Sequence, residues 1–166
     1  MKKLYIVRHS KAVEYAEDHS DFNRCLAEYG VHKATLIANH IATKIDTPDL
    51  ILSSPACRAI ETARIFSSAL SYDHSKIISD DALYHFGGIE RALNTIAAVE
   101  DDIDSLFLFG HNPTFSSLAW NLCNSFREGM PTSAVAGISF DMKSWSDVYV
   151  SKGQLLFYLT KKNLKA

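Results

Sequence analysis

Residues 4–10 read Leu4-Tyr5-Ile6-Val7-Arg8-His9-Ser10. Four residues suited to a buried strand run straight into a cation, an imidazole and a hydroxyl. A strand whose far end delivers such groups is expected in an open α/β sheet, where ligands bind outside the carboxyl ends of the strands. Two later stretches repeat the pattern. Apolar Leu50–Leu52 leads into Ser53-Ser54-Pro55, with Arg58 in the turn that follows, and Leu106–Phe109 leads into Gly110-His111-Asn112-Pro113. In each, a cap residue followed by proline predicts a helix start: Ser54 with Pro55 at the first helical position, and Asn112 with Pro113.

The remaining segments fit one framework. A polar loop follows the first strand, and from about Ala27 to Thr43 the positions Leu36, Ile37, His40 and Ile41 keep helical spacing, with Gly30 weakening the first turn. "PACRAIETARIFSSAL", "GIERALNTIAAVE" and "PTFSSLAWNLCN" read as helices, Lys76–Ser79 as a short strand, and "AVAGISFDM" and "GQLLFYLTKK" as two closing strands. The predicted fold is α/β, a three-layer α/β/α sandwich with a mostly parallel sheet and an antiparallel edge strand. A chain of 166 residues is long enough for one full hydrophobic core, so residues 1–166 are expected to form a single domain.

Composition narrows the function. Hydrophobic residues are 47% and charged residues 22%, ordinary for a globular protein, and the formal net charge of −2 offers no general attraction to nucleic acid or anionic lipid. Anion binding must therefore come from a local cluster, with neither nucleic acid nor membrane as partner. Cys25, Cys57 and Cys123 form an odd set without a CxxC pair, which suggests no disulfide framework, no zinc-finger spacing and a reducing compartment. The apolar run after Met1-Lys2-Lys3 stops at Arg8, short of a signal-peptide core, so the expected location is the cytoplasm.

If the strands are parallel, Arg8, His9, Arg58 and His111 meet at one sheet edge. Two guanidiniums make a good clamp for a phosphoryl group. A neutral His9 beside them can attack phosphorus and hold the phosphoryl group covalently, while His111 and the arginines stabilise charge on the transferring oxygens. No cluster of carboxylates suggests a magnesium site, so the expected mechanism needs neither metal nor cofactor. Rival chemistries lack their signatures. No cysteine is followed six positions later by arginine, "GHNPT" lacks the G-x-S-x-G serine, and Asp102-x-Asp104 precedes its strand. His19, His32, His40 and His74 are expected to have no catalytic part, and Asp80 and Asp81 to lie in a solvated loop. Cys57 is expected to be a buried small apolar residue.

"LYIVRHS", "SDFNRCLAEYG", "DLILSSPACRAIETA" and "LFGHNP" together resemble the histidine phosphatase superfamily, which includes the phosphoglycerate mutases, and within it the small SixA-type phosphohistidine phosphatases. The resemblance runs over essentially the whole chain. It implies a phosphoglycerate mutase-like fold, with His9 as nucleophile, Arg8 and Arg58 in the clamp, His111 as the second histidine, and Arg24 as a further phosphate ligand. Ser10 stands where glycine or alanine commonly follows the histidine, and its hydroxyl is a candidate to bond a phosphate oxygen; Asn112 is counted with it. Cys25 replaces a frequent proline. Many members carry a proton-donating glutamate in Leu-x-Glu, where "LYHF" here puts His85, a candidate donor in its place. An imidazole leaving from phosphohistidine needs that proton less than an alkoxide does. The resemblance thus points to a phosphatase acting on phosphohistidine of a protein. A phosphatase of small phosphorylated metabolites and a non-catalytic phosphate- or phosphoprotein-binding module are the alternatives.

Overall fold

The computed structural model describes residues 1–84 and 87–164. The opening stretch forms β1 (Lys2–Arg8), longer than its apolar kernel at both ends. Its side chains alternate between two cores: Leu4 and Ile6 enter one cluster, Tyr5 and Val7 the other. A central strand covered on both faces has to be apolar throughout.

After β1 come α1 (Glu28–Ala42), β2 (Leu50–Ser53), α2 (Cys57–Ala69), β3 (Ile78–Ser79), α3 (Gly88–Ala97), β4 (Ser105–Gly110), α4 (Thr114–Leu122), β5 (Val135–Phe140) and β6 (Gln154–Leu159). The sheet order is β3-β2-β4-β1-β5-β6. β1, β2, β3 and β4 pair in parallel, while β5 runs antiparallel to both of its neighbours. The strand of opposite sense is therefore β5, one place in from the edge, with β6 outside it. Ile37 and Ile41 of α1 and Phe66 of α2 cover Phe107 and Phe109 on one face. Leu93 and Ile96 of α3 and Phe115 and Leu118 of α4 cover Leu106 and Leu108 on the other, completing the three layers.

Several local expectations change. The stripe that α1 buries is Gly30, Ala34, Ile37, Ala38 and Ile41; Leu36 is 40% exposed and His40 lies off the core. Gly30 is needed for close approach rather than tolerated as a weakness, because a Cβ there would stand 2.0 Å from the Lys11 carbonyl oxygen. α2 begins at Cys57 and α4 at Thr114, so Ser54 and Asn112 do not occupy the helix caps. Both still satisfy nearby amides. Ser54 Oγ accepts from Ala56 N–H, and Asn112 Oδ1 accepts from Ser116 N–H.

The cysteines are the largest correction. Cys25 and Cys57 are joined by a disulfide across a Cα–Cα distance of 4.8 Å, and Cys123 is free and buried. Both partners are half-buried, not core residues. Spacing along the chain carried no sign of this because the loop after β1 folds back onto α2, with Cys57 N–H donating to Phe22 C=O at 3.0 Å. The reducing-compartment expectation rested on an unpaired set and loses that support. Among the described residues, no helix is long and apolar enough to cross a membrane.

Candidate active site

Parallel register brings the distant motifs together. Arg8 is paired with Gly110 across β1 and β4, so His9 and His111 each stand one residue beyond the same rung. His9 N–H donates to Gly110 C=O at 3.0 Å, and Ser54 N–H donates to Phe109 C=O at 2.8 Å, which aligns the end of β2 as well. The His9 and His111 rings lie 5.0 Å apart, tilted by 50°. Arg58 enters from the first turn of α2 and is 7% exposed. Arg8, His9, Arg58 and His111 are thus at one place.

The hydrogen bonds around His9 set its tautomer. Nδ1 lies 2.7 Å from the Ser10 carbonyl oxygen, which only accepts, so Nδ1 carries the proton and Nε2 keeps its electron pair. Burial drives the His9 pKa down; the Ser10 bond partly offsets this, and Arg58, Arg8 and Arg24 push it further down, to about 4. His111 falls to about 3 through burial first, then the charges of His9 and Arg58. Both imidazoles are neutral at pH 7. Ser54 Oγ lies 2.8 Å from His111 Nε2 and also accepts from Ala56 N–H. His111 Nδ1 is buried and has no partner among the described residues.

The arginines show the same incompleteness. Arg8 Nη1 donates to Met130 C=O at 3.0 Å, while its buried Nε has no partner among the described residues. Burial and the nearby Arg58 charge both lower the Arg8 pKa. Two guanidiniums held close enough to repel, beside unsatisfied donors, are suited to an anion that would satisfy all of them. Arg58 is aimed by Asp21: Nη1 donates to its carbonyl at 2.8 Å and Nη2 to Oδ2 at 2.9 Å. Arg24 sits at the rim, its Nε on Val13 C=O and its Nη1 on Asp21 Oδ1 at 3.0 Å.

Ser10 and Asn112 do not match their expected use. The Ser10 hydroxyl is fully buried, donating to Gly30 C=O at 2.7 Å and accepting from Ser133 Oγ at 2.6 Å. It locks the β1 end to α1 and to the loop before β5, and is not available to phosphate. Asn112 Nδ2 donates to Met130 C=O at 2.9 Å, the same oxygen that holds Arg8, so its amide braces the arginine. His85 lies outside the described residues.

Residues the motifs did not single out complete the site. Burial alone would raise the Asp21 pKa, but hydrogen bonds from Arg58, Tyr84 and Arg24 outweigh it and bring the pKa to about 2, so Asp21 is a fixed anion that organises both arginines. Tyr84 donates to Asp21 Oδ2 at 3.0 Å and sets its ring edge-on to His111 at 5.5 Å. Ser133 N–H bonds the carbonyls of Arg8 and His9 at 3.1 Å each. Asp21 was within reach of sequence reading, inside the "SDFNR" segment; Met130 and Ser133 were not, because they act largely through backbone groups.

Residues 4–122 match the histidine phosphatase superfamily (branch 1). The chain belongs to this superfamily. Among solved structures it is similar to the protein histidine phosphatase SixA complexed with tungstate, at 24% identity and a TM-score of 0.82, covering 98% of this chain and 99% of that one. It is 32% identical to SixA from Agrobacterium tumefaciens, a proposed phosphohistidine phosphatase, with a TM-score of 0.77 over 96% and 97% of the two chains. A native mycobacterial glucosyl-3-phosphoglycerate phosphatase shares the fold at 16% identity and a TM-score of 0.68, over 93% and 97%. No curated protein matches the sequence. The superfamily assignment makes the chain a histidine phosphatase-type hydrolase with the phosphoglycerate mutase-like fold.

Proposed function

We propose that this protein removes the phosphoryl group from phosphohistidine on a partner protein, through a phosphohistidine intermediate at its own His9. The observation that carries the reading is the Nδ1–H bond from His9 to Ser10 C=O, which leaves Nε2 as a neutral nucleophile beside Arg8, Arg58 and His111. Nε2 attacks phosphorus in line, the new N–P bond forms as the substrate N–P bond breaks, and the departing imidazole takes the electron pair. Arg8 and Arg58 grip the nonbridging oxygens, and His111 beside them stabilises the charge that gathers there. Water then attacks the same phosphorus and frees His9. The guanidiniums and imidazoles supply the charge stabilisation without a metal ion.

The surface beside the site favours a macromolecular substrate. An open groove of about 980 Å³ lined by Tyr29, Lys33, Tyr158, Lys161 and Lys162, with Glu128 as its one acidic residue, adjoins the loop that holds Arg8. Lys33 reaches that loop directly, Nζ to Thr132 Oγ1 at 2.9 Å. Such a basic margin suits the acidic surface of a phosphoprotein. Arg24 adds a fourth cationic or imidazole donor at the rim.

The test offers the purified chain a phosphohistidine-bearing protein and a series of small phosphate esters, with and without a chelator. Faster turnover of the protein substrate, unaffected by chelation, is the expected result. Preference for the esters overturns the substrate assignment, and phosphate binding with no turnover of either class overturns catalysis.

A further inference from the structure

Cys25 directly follows Arg24, and Cys57 directly precedes Arg58. Their disulfide fastens the loop between β1 and α1 to the first turn of α2. We propose that Cys25 and Cys57 form a redox-active pair that positions Arg24 for phosphate binding, so that reduction by a small dithiol loosens the rim of the pocket. The inference rests on reading the pocket as a phosphate site, and it adds a chemical state on which that site depends.

Three features support it. Both cysteines are half-buried, so a small thiol can reach the bond, whereas Cys123 is buried and unpaired. The two arginines respond differently to the link. Arg58 grows from a helix, is sunk in the site and holds Asp21 through two bonds that do not pass through the disulfide, while Arg24 belongs to the loop and its bonds, to Val13 and Asp21, are to the loop itself. Arg24 therefore moves wherever the loop moves. Finally, the Glu61 carboxylate lies within 4.8 Å of both sulfurs and accepts from Leu26 N–H at 2.7 Å. Cutting the bond leaves two neutral thiols beside that carboxylate and no covalent tie between the loop and the helix.

The chemistry balances with a dithiol as co-reactant. Its thiolate attacks one sulfur and breaks the Cys25–Cys57 bond; its second thiolate displaces the resulting mixed disulfide. The reductant leaves as a cyclic disulfide, and two electrons and two protons remain on the protein as two thiols. Because Arg24 at the rim holds substrate and transition state alike, its displacement weakens binding more than it slows chemistry.

The experiment compares the full chain before and after dithiothreitol treatment, and again after reoxidation. Peptide mapping without reductant should show residues 25 and 57 linked. Reduction should weaken binding of inorganic phosphate and raise KM for para-nitrophenyl phosphate by roughly three- to tenfold, well short of the ~100-fold that a 1 Å misplacement can cost. The value of kcat should change less than about twofold, as for loss of uniform binding, and reoxidation should restore KM. Cys25→Ser and Cys57→Ser should behave as the reduced protein and ignore dithiothreitol; Cys123→Ser should keep the response. Failure to find the linked peptide after oxidation, or equal phosphate affinity in the two states, overturns the inference while the phosphate site stands. Absence of phosphate binding in both states overturns the site itself and the inference with it.

Discussion

The floor and the rim of the pocket are built differently. On the floor, His9 and His111 extend from adjacent central strands, and the neighbouring hydrogen bonds run through Gly110, Ser54, Ser133 and Met130. At the rim, Arg24 and Asp21 lie on a long loop fixed by side-chain bonds, one isolated bridge between Ala12 and Leu26, a backbone bond from Cys57 N–H to Phe22 C=O, and the disulfide. A sheet end defines position through many cooperative backbone bonds, whereas a loop depends on a few replaceable ones. The groups proposed to meet phosphorus are on the first kind of support, and Arg24, proposed only to gather the anion, is on the second.

That contrast can be broken from the floor first. His9→Ala should lower kcat by about 10⁴-fold or more, the scale of losing a nucleophile, and abolish an acid-labile, base-stable phosphoenzyme while leaving measurable phosphate binding by calorimetry. Labelling that survives the substitution would falsify the nucleophile assignment. Arg58→Ala should cost roughly 10²- to 10³-fold in kcat/KM, as expected for a donor to transferring oxygens. Steady-state kinetics should place most of that loss in kcat. Arg24→Ala, a change at the rim, should raise KM about tenfold with kcat altered only a few-fold. If Arg24→Ala damages kcat as deeply as Arg58→Ala, floor and rim are not distinct.

A smaller effect lies in the pH response. The folded-state pKa values of His9 and His111, about 4 and about 3, lie below the 6.5 of a free imidazole. Protons therefore enter the unfolded chain first as pH falls, and these histidines withdraw stability from about pH 6.5 down to about pH 3. Thermal melts should show Tm falling across that window, and less steeply with saturating phosphate, whose charge favours the imidazolium. Resonances assigned to His9 or His111 that titrate near 6.5 in the free protein would contradict the buried, arginine-flanked setting.

How much of this was legible in the sequence follows the same division. The strand ends at Arg8, Ser53 and Gly110 could be read because apolar runs stop abruptly at polar groups, and parallel pairing then had to gather His9, Arg58 and His111. The rim could not be read in that way. Cys25 and Cys57 meet because a loop folds back, and no periodicity encodes such a path. Leu36 keeps the helical spacing yet is exposed, because Ala34 and Ala38, small residues with little apolar signal, take the buried places beside Ile37 and Ile41. Ser10 looked like a ligand and proved to be a buried clasp, since a hydroxyl in a sequence does not disclose which carbonyl it will find. Met130 was invisible because its contribution is one backbone oxygen, shared by Arg8 and Asn112.

The placement of β1 between β4 and β5 has a consequence for biosynthesis. The strand carrying the proposed nucleophile is made before the other five, yet its two neighbours are residues 105–110 and 135–140, and the Ser133 amide that clasps its end comes just before the second. A ribosome must deliver more than three quarters of the chain before His9 has its walls. Nascent or prematurely terminated fragments should therefore be chemically silent, and the catalytic group should become competent only as the last third of the polypeptide closes around the first strand.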